Sequence, residues 1–155
     1  MRIRILAVGQ HISDWAQDAV RGYLARFPRT WPVELRETRT EPRAGQTPAR
    51  LMALEGERLL AAIEPDDFVV IMDERGRDFT TVEFAQSLRE WSREAPRIVF
   101  VIGGPDGLAP EVKARANRTM RLSAMTLPHA LARVLLAEQL YRAWSIEAGH
   151  PYHRA

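Results

Sequence analysis

The chain has 155 residues, of which 46% are hydrophobic and 27% charged, and its formal net charge is +2. This length predicts one domain, 1–155, with a buried core, and the composition argues against disorder. A charge of +2 is too small for a protein that coats nucleic acid without selectivity. The absence of cysteine excludes disulfides, thiolate metal sites and cysteine nucleophiles.

The start of the chain has the pattern of a strand, with no targeting signature. Arg2 and Arg4 alternate with apolar residues here, whereas a signal peptide needs a continuous apolar core. No apolar run reaches the roughly 18 to 20 residues that a membrane-spanning helix requires. We therefore expect a cytoplasmic protein that has no contact with a membrane.

The first half of the chain alternates strand and helix patterns. It predicts strand 3–8, helix 13–28, strand 32–38 and a helix that begins at Thr47 or Pro48 and ends near 63. The intervening residues 39–48 contain Pro and Gly but no apolar periodicity. This composition is typical of a mobile surface loop.

The second half continues the alternation. Two continuous apolar runs, 67–73 and 97–102, indicate strands that are buried on both faces. The remaining elements predicted here are helices 81–93, 109–116 and 128–148 and a strand at 120–123. The whole pattern predicts an α/β domain with a mostly parallel sheet flanked by helices.

Three strand ends in this half are candidates for a ligand site, because small ligands bind beyond the carboxyl ends of parallel strands. The middle one carries Gly103, Gly104 and Gly107, which allow the backbone to approach a ligand closely. It has neither the Gly-Lys-Ser/Thr ending of a Walker loop nor the spacing of a dinucleotide fingerprint. An ordinary tight turn is the alternative interpretation.

The third strand end, 122–129, alternates small and apolar residues and includes two hydroxyls before Pro128. Its main-chain amides in an apolar setting suit the edge of an adenine ring. The alternative is a plain connection in which Pro128 simply begins the helix.

The C-terminal tail, 149–154, contains two histidines, a tyrosine and an arginine. Chain ends are commonly frayed, so a solvated tail is one interpretation. The functional interpretation is that Tyr152 stacks on a base while Arg154 meets a phosphate or a developing anion.

Taken together, these segments resemble the ribosomal RNA large-subunit methyltransferase H family, small SPOUT-class enzymes that methylate N3 of a pseudouridine. The matching elements span the chain in order and spacing: 7–9, Trp15, Tyr23, 27–28, 102–105, 107–108, 122–123, 126–129, 140–146 and 150–154.

The resemblance implies a SPOUT fold with a deep trefoil knot in the C-terminal third, a homodimer, and methylation of large-subunit (23S) ribosomal RNA without a metal. It implies S-adenosyl-L-methionine as the cofactor, with contacts at Met72, Gly103, Gly104, Leu122, Ser123, Ala124, Met125, Thr126, Leu127 and Pro128. Because the net charge is small and no RNA-binding domain is apparent, we expect the target to be folded RNA in an assembled ribosome.

The reaction needs groups that help N3 of the base to lose its proton, either a base or donors that stabilise the anion. We favour Arg142 and Arg154 as anion stabilisers, with Tyr152 orienting the target base. We favour His153 over His129 as the proton acceptor, because a histidine at a helix start can simply cap or pack.

Some interpretations stay open. The apolar residues of helix 128–148 suit either a core or a two-fold interface that brings the tail of one subunit to the site of the other. Glu138 is a possible i, i+4 partner of Arg142. An RNA-binding role for 39–48 and for Lys113, Arg115, Arg118 and Arg121 is a hypothesis. A nucleotide sensor without catalytic activity and a transfer RNA methyltransferase are the competing functions.

Overall fold

A computed structural model of the protein describes residues 1–9 and 12–154. The strands β1 to β5 span Ile3–Val8, Val33–Thr38, Phe68–Arg77, Ile98–Ile102 and Arg118–Met120. The helices α1 to α5 span Asp14–Leu24, Pro48–Ala61, Thr81–Glu94, Pro110–Arg115 and His129–Ala148. The strands form one parallel sheet in the order β2-β1-β4-β3-β5, so the predicted α/β class with a parallel sheet and flanking helices is confirmed.

The centre of the sheet consists of the most apolar strands. All five residues of β4 are buried, and its Phe100 is in register with Ile5 of β1 and Val70 of β3. Strands covered on both faces need apolar side chains at every position, which explains the continuous runs in the sequence.

Helices cover the two faces of the sheet unequally. On one face, α3 and α5 bury Leu88 and Leu140 against the sheet, and α1 packs against α5. On the other face, α2 and α4 bury Leu59 and Val112 against residues that include Val101. Alternate residues of each strand therefore contribute to different hydrophobic layers.

The end of the sheet beside β5 differs from the prediction. The strand predicted at 120–123 instead ends at Met120, so that part of the prediction is wrong. Strand β3 continues past Asp73 to Arg77, and both Met72 and Arg77 pair with Met120 across an irregularity. The backbones come so close here that a Cβ on Gly76 would lie 2.6 Å from the Met120 Cα.

The residues at two helix ends explain where those helices begin or end. Thr47 caps α2 as predicted, its hydroxyl accepting a hydrogen bond from the Arg50 amide at 3.2 Å, and Pro48 occupies the first turn. Helix α5 ends at Gly149, whose φ of 68° is left-handed. Within 1–9 and 12–154, every helix is too short or too polar to span a bilayer.

Candidate active site

Residues 72–75 of β3 and the segments that follow β4 and β5 enclose a cavity of about 740 Å³ at the carboxyl edge of the sheet. Its wall is made mainly by residues 72–75, 102–108, 121–123 and 125–129, with contributions from Met52, Pro110, Lys113 and Ala132. The three strand ends singled out in the sequence thus meet at one place. A volume of this size falls within the roughly 300 to 1,000 Å³ range of small-molecule and cofactor sites.

The second half of β3 places a carboxylate in the wall. Asp73 Oδ1 accepts a hydrogen bond from the Arg75 amide at 3.0 Å, and Asp73 Oδ2 lies 3.3 Å from Lys113 Nζ. The hydrogen bond from the Arg75 amide, more than the nearby Lys113 ammonium, holds the pKa of Asp73 below its ordinary value. Asp73 is therefore ionised at neutral pH.

The glycine loop after β4 presents main chain to the cavity. The Gly107 amide donates to the Gly104 carbonyl at 3.0 Å, which closes a tight turn. A Cβ on Gly103 would lie 2.9 Å from Leu108 Cδ2, so the turn has no room for a side chain there. Outside the cavity, Arg43 of the loop 39–48 donates to Asp106 at 2.8 Å and ties that loop to the turn.

The segment after β5 completes the wall. Arg121 donates two hydrogen bonds to the Asp78 carboxylate, at 2.6 and 3.0 Å, and so fixes where the segment leaves the sheet. Ser123 Oγ then accepts from the Met125 amide at 2.9 Å. The cavity wall includes every residue predicted to bind a cofactor except Ala124, which is exposed.

His129, at the start of α5, is the one predicted catalytic residue that lines the cavity. Burial of the ring, and secondarily the charge of Arg133, lowers the pKa of His129. Its imidazole is therefore neutral at pH 7 and able to accept a proton.

The C-terminal tail is folded back onto α5. Glu138 Oε1 accepts a hydrogen bond from Tyr152 at 3.1 Å and another from Arg142 Nε at 2.5 Å. The Arg142 guanidinium also lies over the Tyr152 ring, 5.0 Å from its centroid. Burial, with hydrogen bonds to Tyr23 and Glu138, raises the pKa of Tyr152 to about 12. The tail is docked as far as His153, while Arg154 is exposed.

The docked tail and the cavity lie beside different parts of α5. Arg142 lies thirteen residues beyond His129, or about 20 Å along the axis at the usual helical rise. Within one chain, the cavity wall therefore contains His129 but none of the other four predicted catalytic residues: Arg142, Tyr152, His153 and Arg154.

Two residues of the basic stretch have structural roles. Arg115 donates to the carbonyls of Glu64 and Asp67, both at 3.0 Å, and the Arg118 guanidinium lies 5.6 Å from the centre of the Phe68 ring. Lys113 and Arg121 instead line the cavity. An RNA-binding role for this stretch stays a prediction.

Sequence reasoning missed several charged residues in or beside the cavity wall, among them Asp73, Arg75 and Arg133. Asp73 and Arg75 follow closely on the apolar run 68–72 that begins β3, which was the available signal. Arg133 is an arginine within an apolar helix, one turn after His129, and its complete burial is visible only in the structure.

Comparison with known proteins agrees with this architecture. A family model described as "Predicted SPOUT methyltransferase" matches residues 1–153. This chain belongs to that family. Proteins named "Ribosomal RNA large subunit methyltransferase H" are similar over 154 residues and 99% of both chains, with 51% identity in Delftia acidovorans, 52% in Acidovorax ebreus and 51% in Variovorax paradoxus. The resemblance seen in the sequence is confirmed, and the chain is a methyltransferase.

Proposed function

We propose that this methyltransferase transfers a methyl group from S-adenosyl-L-methionine to N3 of a pseudouridine in large-subunit (23S) ribosomal RNA. We propose that it acts in the cytoplasm, on the assembled ribosome, as a homodimer whose C-terminal third forms a trefoil knot. The observation that carries the proposal is the convergence of three successive strand ends on one cavity in a chain of the SPOUT family.

The cavity suits the cofactor chemically. Met72, Leu122 and Leu127 provide apolar surface for an adenine ring, and the neighbouring main chain provides donors and acceptors for its edge. The ionised Asp73 offers a negative charge to a cationic ligand. We propose that the cofactor-binding set is the one predicted from the sequence, with Asp73 added to it. When bound, S-adenosyl-L-methionine supplies an electrophilic methyl carbon.

The separation of the tail from the cavity supports a dimeric site. The tail docks against Glu138 and Arg142, about 14 to 20 Å along α5 from His129, and none of its residues lines the cavity of its own chain. We propose that a second copy brings its Arg142, Tyr152, His153 and Arg154 to the cavity across a two-fold interface. Light scattering measures the oligomeric state, and turnover measures activity. A protein that is monomeric and still active at nanomolar concentration would contradict this arrangement.

We propose separate tasks for the residues of the tail. Tyr152, whose hydroxyl donates to Glu138, stacks its ring on the target base and so orients it. Arg142 and Arg154 stabilise the negative charge that develops on the ring carbonyl oxygens as N3 loses its proton. His153 accepts that proton, and His129, already in the cavity wall, is the alternative acceptor.

The test uses methyl-labelled S-adenosyl-L-methionine with four substrates: assembled ribosomes, free large subunits, purified ribosomal RNA and transfer RNA. We expect label in the large-subunit RNA of ribosomes, at a pseudouridine located by nuclease digestion and mass spectrometry. A nucleotide sensor would transfer no label, and a transfer RNA methyltransferase would label only the fourth substrate. Histidine-to-glutamine variants at His153 and His129 then identify the acceptor by which of them abolishes transfer.

A further inference from the structure

Arg133 is a charged side chain with no exposed surface at all, on a helix whose other buried residues are apolar except for Tyr141 and Ser145. Its Nη2 donates to the carbonyls of Val8 and Gly9, at 2.9 and 2.7 Å. Its Nη1 donates to Glu37 Oε2 at 2.6 Å. A fully buried arginine is rare, and this one has partners on two strands and none on its own helix among these contacts.

The partners of Arg133 mark the carboxyl ends of β1 and β2. Val8 is the last residue of β1, Gly9 follows it with a φ of +104°, and Glu37 is next to last in β2. This is the edge of the sheet at which the cavity lies. Because burying an ion pair seldom stabilises a fold more than apolar packing of the same volume would, stability alone is a weak explanation for this arginine.

His129 lies one helical turn before Arg133, so the two side chains project from the same face of α5. We propose that Arg133 is a positioning residue, which holds His129 in the cavity wall by clamping the start of α5 to the strand ends. This inference rests on the proposed function, in which the cavity binds S-adenosyl-L-methionine.

The clamp also has an electrostatic consequence for the cavity. The charge of Arg133 disfavours a second positive charge on His129, in addition to the effect of burial. The other charged groups in the cavity wall are Asp73, Glu74, Arg75, Asp106, Lys113 and Arg121. A neutral imidazole is compatible with a sulfonium cation, whereas an imidazolium repels it but does not repel uncharged sulfur in S-adenosylhomocysteine.

Three variants test the clamp in the full-length protein. Arg133→Met removes both the charge and the planar set of guanidinium donors. Arg133→Lys keeps the charge without that set of donors, and Glu37→Gln removes the partner carboxylate. The first readout is the titration of the His129 ring, monitored by NMR in the absence of cofactor. The second is calorimetric affinity for S-adenosyl-L-methionine and for S-adenosylhomocysteine, and thermal unfolding is measured in parallel.

We expect the pKa of His129 to rise in Arg133→Met towards the ordinary value of about 6.5 and to fall further in Glu37→Gln, where the arginine charge is no longer neutralised. We expect Arg133→Met to weaken affinity for S-adenosyl-L-methionine by about tenfold, because small displacements of a supporting group have effects of this size or larger. Arg133→Lys should restore the low pKa and part of the affinity.

Loss of the Arg133 charge shifts the His129 titration in either case, but a purely structural role predicts that unfolding temperatures fall while the affinities for the two ligands and their ratio stay constant. That pattern would overturn the proposal. If Arg133→Met does not fold, Glu37→Gln and Arg133→Lys decide the question, since Glu37 is partly exposed. Failure of the wild-type protein to bind either ligand would refute the proposed function, and the NMR resonances of the His129 ring in Arg133→Lys, which keeps the charge, would still show whether the ring is displaced.

Discussion

Tyr152 donates a hydrogen bond of 3.1 Å to Glu138, and this contact fixes the C-terminal tail to the middle of α5. Glu138 accepts a second hydrogen bond from Arg142, whose guanidinium lies over the Tyr152 ring. Each of the three side chains thus contacts the other two. The tail, which was predicted to contain catalytic residues, is therefore an ordered segment, and the carboxylate of Glu138 holds it in place.

Removal of residues 151–155 should separate the role of the tail from that of the cavity. We expect methyl transfer to ribosomes to fall by at least about 100-fold, because the groups proposed to orient and stabilise the base are lost. Affinity for S-adenosyl-L-methionine should change by less than about threefold, since the tail lines no part of the cavity of its own chain and is proposed to contact the target base across the interface. Single-turnover transfer and calorimetry measure the two quantities. Retained transfer would remove the tail from the mechanism.

Titration of Tyr152 should report whether the tail is docked in solution. Its pKa of about 12 exceeds the ordinary 10 because burial, with hydrogen bonds to Tyr23 and Glu138, disfavours the phenolate. The stabilisation linked to this proton is complete below pH 10 and is lost as the pH rises through 12. Absorbance at the phenolate band, compared with Tyr152→Phe, should show one tyrosine that ionises about two pH units late. Ionisation of that tyrosine near pH 10 would indicate a frayed tail.

The sequence was sufficient for the order of the elements and for the location of the cavity, and insufficient for the bounds of β3 and β5 and for how charged residues pair. Apolar periodicity locates strands and helices because burial imposes it. Apolar periodicity does not predict the extension of β3 to Arg77, because most of the added residues are charged. The pairing there depends instead on the close approach of Gly76 to Met120. Likewise, the partners of Arg133 are more than 90 residues away in the chain, a separation that no local pattern reveals.

Glu55 should give a stability effect that depends on pH. It is a buried carboxylate on α2, close to where a Cβ on Gly104 would lie, and burial raises the pKa of Glu55 above its ordinary 4.5. The stability linked to its proton is present below pH 4.5 and is lost as the pH rises through the higher folded pKa. We expect Glu55→Gln to increase the free energy of unfolding at pH 7 by about 1 kcal/mol, the scale of desolvating one buried polar group.

The control for Glu55 is Glu57→Gln, an exposed position on the same helix, which should have little effect at any pH. Urea unfolding at pH 7 and pH 3.5 measures both variants. The gain at Glu55 should shrink at the lower pH, where the carboxyl is protonated in the folded and unfolded states alike. An equal gain at the two pH values would show that burial of the charge is not the cause.

Two glycine-to-alanine substitutions should have opposite effects on stability. On Gly76, a Cβ would meet the Met120 backbone at 2.6 Å, so Gly76→Ala should force β3 and β5 apart and lower the free energy of unfolding by about 2 kcal/mol. Gly22, within α1, has open space around its Cβ position, and Gly22→Ala should raise that energy by about 0.5 to 1 kcal/mol. Urea unfolding compares the two variants with the wild type.

The Gly76 substitution should also affect the cavity, because the chain leaves β5 directly at Arg121, whose amide donates to the Arg77 carbonyl at 3.1 Å. Displacing Met120 moves Arg121 away from Asp78 and disturbs the wall that follows it. We therefore expect Gly76→Ala to weaken cofactor affinity by about tenfold, while Gly22→Ala leaves it unchanged. If Gly76→Ala loses stability but binds S-adenosyl-L-methionine as tightly as the wild type, the pairing of β3 with β5 supports the fold without shaping the site.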